Sequence, residues 1–260
     1  APRPPEPWEG VREALVSGPP CVQVNGILGV DPSAADLDEG EAAGSEDCLG
    51  LNVFAPAFPP GEVPVAGERL PVMVWIHGGG NTVGSAAIYD GGTLAQKHRV
   101  IVVTTNYRLG ALGWFSHAAI APAGTNPDDA SGNYGTLDQI RALEWVRENI
   151  ASFGGDPNRV TVFGESAGGR NVLSLVASPR ASGLFHRAIS QSGGTRTSSL
   201  SSARNLHDAA DVPGHEFSSG EVLLSLLRAD GRAEDRDSAR RALAGMTPES
   251  VADYLRSKTP

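Results

Sequence analysis

Arg159-Val-Thr-Val-Phe-Gly-Glu-Ser-Ala-Gly-Gly-Arg-Asn-Val172 is the stretch whose reading decides the fold. Val160, Val162 and Phe163 are the β-branched and aromatic residues of a short buried strand, bounded by polar Asp156-Pro157-Asn158. Gly164 to Gly168 turns the chain sharply, and Asn171 to Val176 continues as a helix. A serine on a strand-to-helix turn, with glycine two residues before and two after, is the nucleophile-elbow pattern. The glycines have a steric reason. Such a serine sits in a strained backbone conformation, and side chains at the flanking positions would strike the adjoining strand and helix.

Working outward, Leu70 to His77 is apolar nearly throughout, as expected for a strand covered on both faces, and it runs into Gly78-Gly79-Gly80. Val100 to Tyr107 is a second buried strand, rich in β-branched residues. Leu49 to Phe54 and Arg187 to Ser192 are further strands, and a modest helix is expected over Gly92 to Lys97. Thr136-Leu-Asp-Gln139 has the form of a capping box opening a helix to about Phe153, with Leu137, Ile140, Leu143, Val146 and Ile150 on one face. Between these elements lie an irregular first segment, Ala1 to Pro20, with Trp8 as its anchor and a helical turn near Val11 to Leu15. An acidic surface loop covers Asp31 to Asp47, a Pro/Gly-rich loop Pro56 to Gly67, and a long connection Arg108 to Gly135. Strands alternating with helices as far as residue 193 imply an α/β fold with a mostly parallel central sheet. After Gly194 only helices are expected, over Ser201–Ala210, Ser219–Arg228, Arg232–Ala244 and Pro248–Arg256, the last capped by Thr247. Residues 1–194 thus form the core and 195–260 a helical cap-like segment.

The 260 residues carry a net charge of −9, which argues against a nucleic-acid surface, since phosphate binding needs clustered Lys and Arg. No apolar run approaches the ~20 residues that span a bilayer. The chain opens on alanine with no basic, apolar and small-residue signal pattern, so either such a segment has been removed or the sequence starts inside something larger. Cys21 and Cys48 are the two cysteines. They either pair, closing a loop and favouring an oxidising compartment, or are unrelated thiols.

The chemistry converges on Ser166. A helix starting directly after it aims backbone N–H groups and a partial positive charge toward an oxyanion, with the Ala167 N–H as first donor. His77-Gly78-Gly79-Gly80, at the carboxyl end of a buried strand, lets the backbone approach a substrate and supplies the second wall of an oxyanion hole. Lys-Ser/Thr does not follow these glycines, so a phosphate loop is not indicated. A serine nucleophile needs a histidine base and an orienting carboxylate. His186 lies just before a strand, His207 on a helix and His215 in a loop beside Glu216. None has the setting of a base, and neither do His77, His98 or His117. The cysteines and histidines lack zinc-like spacing, so neither a metal nor another cofactor is expected.

Several segments together resemble the type-B carboxylesterases of the α/β-hydrolase superfamily, the family of cholinesterases, some lipases and bacterial p-nitrobenzyl esterases. They are Glu46-Asp-Cys-Leu-Gly-Leu-Asn-Val53, Trp75-Ile-His-Gly-Gly-Gly80, Asn106-Tyr-Arg-Leu-Gly110 and Gly132 to Gln139. Phe153-Gly-Gly-Asp-Pro157, Phe163 to Gly169 and Ser190-Gln-Ser-Gly193 follow in the family's order. The resemblance covers Pro7 to Gly194. It implies an α/β-hydrolase fold and hydrolysis of small-molecule carboxylic esters through an acyl-enzyme at Ser166, with Gly79, Gly80 and Ala167 as oxyanion donors. It further implies a Cys21–Cys48 disulfide, a secreted or lumenal location, and a buried structural ion pair between Arg108 and Asp138. Glu165 and Ser192 become supports of the site.

Three departures stand out. Asn81 replaces the aromatic residue usual after the three glycines. Arg170 and Asn171 replace a small residue and serine after Gly169. Family members are roughly twice as long and carry the triad acid and histidine in their C-terminal half, so the chain is expected to be an internal, truncated piece with those residues outside it. A non-catalytic adhesion module of the same fold, or an inactive truncated product, is the alternative. Ser166 and the intact glycine motif weigh against the adhesion module.

Overall fold

The computed structural model describes residues 1–6, 9–10, 13–26, 38, 40–59, 61–122 and 124–259. Seven strands and nine helices lie within them. The strands are β1 (Gln23–Val24), β2 (Ala42–Ala43), β3 (Leu51–Phe54), β4 (Leu70–Ile76), β5 (Ile101–Thr105), β6 (Gly155–Glu165) and β7 (Arg187–Gln191). The helices are α1 (Gly92–His98), α2 (Gly110–Gly113), α3 (Pro127–Ala130), α4 (Tyr134–Asn149), α5 (Ala167–Ala177), α6 (Leu200–Arg204), α7 (Ser219–Ala229), α8 (Arg236–Ala244) and α9 (Pro248–Arg256). The chain forms two compact units, one of residues 1–113 and 134–195, the other of residues 114–133 and 196–260.

The first unit is built on a five-stranded sheet in the order β3-β5-β4-β6-β7. β3 runs antiparallel to β5, and the other neighbours are parallel. This is the α/β-hydrolase fold, with helices flanking a mostly parallel sheet. Side chains alternate across β4, so Val72, Val74 and Ile76 share one face with Ile101 and Val103 of β5 and Val160 and Val162 of β6. All seven are at most 1% exposed. On the other face Met73, Trp75 and Phe163 are half-buried. Trp75 stacks edge-on against Phe163, with ring centroids 4.8 Å apart. β7 is exposed along its whole length.

Helix α4 forms because Leu137, Ile140, Leu143 and Val146 fall on one face at helical spacing, and all are buried. It begins at Tyr134, not at a cap on Thr136. Gln139, which a capping box would fold back toward the helix start, is instead 1% exposed within the packed interior. The helix also ends sooner, at Asn149, and a 3₁₀ turn covers Ile150–Phe153. Helix α5 stops at Ala177 because Pro179 follows, and Ser178 takes the extended conformation favoured before proline.

At the amino-terminal side, Cys21 and Cys48 are joined by a disulfide. The Gln23 amide bonds the Cys21 and Gly84 carbonyls at 3.0 Å each, and its oxygen accepts the Gly84 N–H at 2.7 Å. The disulfide loop is thereby tied to the segment following the glycines. Trp8, the start of the turn expected over Val11 to Leu15, and residues 31–37 and 39 of the expected acidic loop lie outside the described residues; residues 13–15 are not helical.

The second unit packs around Leu223, Leu224, Leu227, Ala239, Val251 and Tyr254. Its helices are closed by side-chain caps: Ser199, Ser218, Asp235 and Thr247 each accept an N–H from the first turn. Two expectations change here. Helix α8 starts at Arg236, since Asp235 and Ser238 form a reciprocal capping box that an earlier start at Arg232 would bury inside the helix. Helix α6 ends at Arg204 rather than Ala210, because His207 turns away to bond Glu221 through both its backbone N–H and Nδ1, each at 2.9 Å. The long connection after Arg108 is also divided. Its stretch 114–133 joins this unit, where Arg204 donates to the Ser116 hydroxyl and Ser219 to the Ser116 carbonyl.

Candidate active site

Strands β4, β5, β6 and β7 end at the same edge of the sheet, and in open α/β sheets that edge is where ligands bind. Ser166 follows β6 directly and leads into α5 with φ 55° and ψ −116°, outside the regions an L-residue normally occupies. Its N–H is held by the Gln191 carbonyl of β7 at 2.9 Å. The tightness of the turn explains the glycines. A Cβ at Gly168 would lie 2.0 Å from the Ile76 carbonyl oxygen, and one at Gly164 would lie 2.6 Å from that same oxygen. Ser166 is exposed and Ala167 is buried behind it. The first N–H groups of α5 have no carbonyl a turn earlier to bond, so they remain available at this edge.

The loop after β4 lies alongside. A Cβ at Gly78 would sit 3.5 Å from the Ser166 Cβ and 3.2 Å from a Glu165 carboxylate oxygen. Gly79 has φ 97° and comes so close to Val83 that a Cβ would be 2.0 Å from its carbonyl oxygen. Gly80 and Asn81 continue in the left-handed region at 66° and 63°. Ser166, Ala167 and the glycine loop are therefore brought together. Ser192, also left-handed at φ 52°, is exposed just past β7. Glu165 is exposed at the end of β6.

His77 is in the glycine loop but is not arranged as a base. It is 1% exposed, its ring stacks on Tyr107 with centroids 4.3 Å apart, and its Nδ1–H donates to the Gly78 carbonyl at 2.8 Å. Burial holds its pKa down at about 4, with the Gly78 carbonyl opposing weakly, so the ring is neutral at physiological pH. His186 stands at the start of β7, where its Nδ1 accepts the Val160 N–H at 3.2 Å. Five residue steps along β6 lead from Val160 to Glu165, a rise of roughly 16 Å, which puts His186 out of reach of Ser166. His98 ends α1, on the side where β5 begins. In the second unit the Nδ1 atoms of His117 and His215 accept backbone N–H groups at 3.1 and 3.2 Å. His207 is engaged by Glu221, whose carboxylate Arg236 also binds at 2.7 Å. That guanidinium is the main reason the Glu221 carboxyl is held down at about 2.

Arg108 and Asp138 form a bidentate pair, Nε to Oδ2 at 2.9 Å and Nη2 to Oδ1 at 2.7 Å, and the Arg108 N–H adds a third bond at 3.0 Å. The Asp138 side chain is 1% exposed, so the pair fastens α4 to the loop after β5. Among the described residues no three His, Cys, Asp or Glu side chains gather as a metal site, and no helix is long and apolar enough to cross a membrane.

One contact at this edge could not be read from motifs. Asn81 and Asn171, ninety positions apart, face each other and exchange hydrogen bonds, Asn171 Nδ2 to Asn81 Oδ1 at 2.9 Å and Asn81 Nδ2 to Asn171 Oδ1 at 3.3 Å. Their only signal in the sequence is that both depart from the pattern the neighbouring motifs resemble.

Comparison with known proteins agrees with this architecture. The profile of the Carboxylesterase family matches residues 1–230. A medium-chain fatty acyl-CoA hydrolase precursor from Anas platyrhynchos is 46% identical over 239 residues, covering 90% of this chain and 40% of its own length. Carboxylesterase 3 from Homo sapiens is 51% identical over 193 residues, covering 74% and 32%. Among solved structures, a PNB esterase superposes with a TM-score of 0.65 at 41% identity, covering 98% of this chain and 46% of that one. The chain thus spans about two-fifths or less of the length of these curated relatives.

Proposed function

Because this chain belongs to the carboxylesterase family, we propose that it carries the nucleophile and oxyanion hole of a serine hydrolase acting on small-molecule carboxylic esters. The observation that supports this best is the strained elbow at Ser166, pressed against the glycine loop of β4. Ser166 Oγ attacks the ester carbonyl carbon and gives its proton to a histidine base that lies, with its acid, outside residues 1–260. The carbonyl electrons move onto oxygen, which the Gly79, Gly80 and Ala167 N–H groups hold. The C–O bond then breaks, and the alcohol leaves with the proton. Water attacks the acyl-serine, releasing the acid and returning the proton to Ser166. Each oxyanion donor is worth roughly 10²–10³ in kcat.

Glu165 and Ser192 sit beside the nucleophile at the ends of β6 and β7, where they support the incoming base and acid. Residues 1–260 alone hold the nucleophile without its base, so their esterase turnover is negligible. The Cys21–Cys48 disulfide, and the word "precursor" in the name of the Anas platyrhynchos relative, support a secretory or lumenal setting.

The test is turnover of p-nitrophenyl acetate by the full-length protein, with and without Ser166→Ala. The substitution is expected to remove at least roughly 10⁴-fold of kcat. Unchanged turnover in that variant, or a fluorophosphonate that labels another residue, defeats the proposal.

A further inference from the structure

The glycine loop is held at both ends. Before it, the Tyr107 hydroxyl donates to the His77 carbonyl at 2.6 Å. Tyr107 is fully buried, and burial pushes its hydroxyl pKa well up, so it remains a donor. After the loop, the Asn81 carbonyl accepts the Gly110 N–H at 2.7 Å, and the Asn81 side chain meets Asn171. Asn171 lies one helical turn beyond Ala167, on the same side of α5 and 3% exposed. The two groups of N–H donors assigned to the oxyanion hole come from different elements. Gly79 and Gly80 belong to the loop, and Ala167 to the helix. Apart from the sheet beneath, Asn81–Asn171 is a direct side-chain link between the two.

We propose that the Asn81–Asn171 amide pair is a positioning device that sets the spacing between the two walls of the oxyanion hole; this rests on Ser166 being the nucleophile. Both residue types suit the role. Asparagine is among the L-residues best tolerated at a left-handed φ, as at Asn81. Two carboxamides satisfy each other reciprocally while bringing no net charge to a place where negative charge develops. A hydrophobic side chain at 81 could fill the space but could not fix a distance to α5.

The experiment is a double-mutant cycle in the full-length protein with Asn81→Gly, Asn171→Ala and the pair combined. Glycine at 81 retains the left-handed backbone, so that variant carries the test if Asn171→Ala does not fold. Each single change is expected to lower kcat by roughly 10- to 100-fold, the scale of a small misplacement of reacting groups, with KM within about 3-fold. Affinity for a trifluoromethyl ketone, whose tetrahedral adduct on serine fills the oxyanion hole, falls in parallel. The double variant is no worse than the poorer single, as for residues acting as one unit. Unchanged kcat, losses that multiply in the double variant, or a lower melting temperature without loss of ketone affinity overturns the proposal. Ser166→Ala in the same assay separates the two levels of the argument. Activity surviving there defeats the nucleophile itself, whereas activity lost there but intact in the asparagine variants defeats only the pair.

Discussion

Gly168→Ala adds one methyl group where the elbow is tightest. The new Cβ would sit 2.0 Å from the Ile76 carbonyl oxygen, 2.7 Å from the His77 carbonyl oxygen and 2.9 Å from the Ile76 carbonyl carbon. All three atoms are backbone, so no side chain can swing aside. Ordinary contact begins near 3.4 Å, so α5 and the end of β4 must part by about 1 Å or more. Overpacking of this kind costs about 1–3 kcal/mol of stability. The larger effect falls on activity. Parting these elements separates the Ala167 N–H from the glycine loop, and a displacement of about 1 Å is worth roughly 10²-fold in kcat. Gly183→Ala is the control. There φ is 76° but the Cβ meets open space, so backbone strain of about 1–2 kcal/mol is isolated from any collision. In the full-length protein, p-nitrophenyl acetate kinetics and thermal unfolding are measured for both variants. Gly168→Ala should lose kcat far beyond its loss of stability, and Gly183→Ala should lose stability alone. Wild-type kcat in folded Gly168→Ala would refute the spatial coupling of elbow and loop on which the site is built.

Three further outcomes can be checked. Replacing Cys21 and Cys48 with serine reopens a loop with a sequence separation of 27, which chain entropy prices at about 3–4 kcal/mol; urea denaturation should show that loss, and dithiothreitol should add nothing to it. His77, with its pKa lowered by burial from 6.5 to about 4, favours the neutral ring in the folded state. Its contribution to stability is therefore complete above about pH 6.5 and is lost as pH falls toward 4, so unfolding free energy measured over that window should decline, and should decline less in His77→Asn. Finally, β7 presents an exposed strand edge with Ile189 44% exposed, so purified residues 1–260 should self-associate in light scattering, and Ile189→Lys should reduce it. A monodisperse sample would count against that.

The strands, the elbow and the glycine loop were legible in the sequence because each is dictated locally. β-Branched runs make β4, β5 and β6. Gly164 and Gly168 follow from contacts within a few residues of Ser166 and with the strand beside it. The Carboxylesterase family match agrees with the resemblance those motifs carry. What was not legible depends on distant partners. Thr136 and Gln139 have the local form of a capping box, but burial of Gln139 overrides it. Helix α6 is cut short by Glu221, a residue in a different helix. Asn81 and Asn171 stand out in the sequence only as two separate departures from the motifs around them, and only the folded chain sets their amides face to face. The assignment of 114–133 to the helical unit has the same origin, since Ser116 finds its partners in Arg204 and Ser219.

That divided second unit bears on how the chain is made. The 3₁₀ turn Ala118–Ile120 packs against α9, residues 248–256, so a segment synthesised early finds its partner only near the end of the described chain. At about 5–20 residues per second, the wait on a ribosome is on the order of ten seconds. Every strand of the five-stranded sheet is complete by residue 191 and can pair in the meantime. Residues 114–133 therefore cannot complete their packing within the helical unit until residues 248–256 have been made.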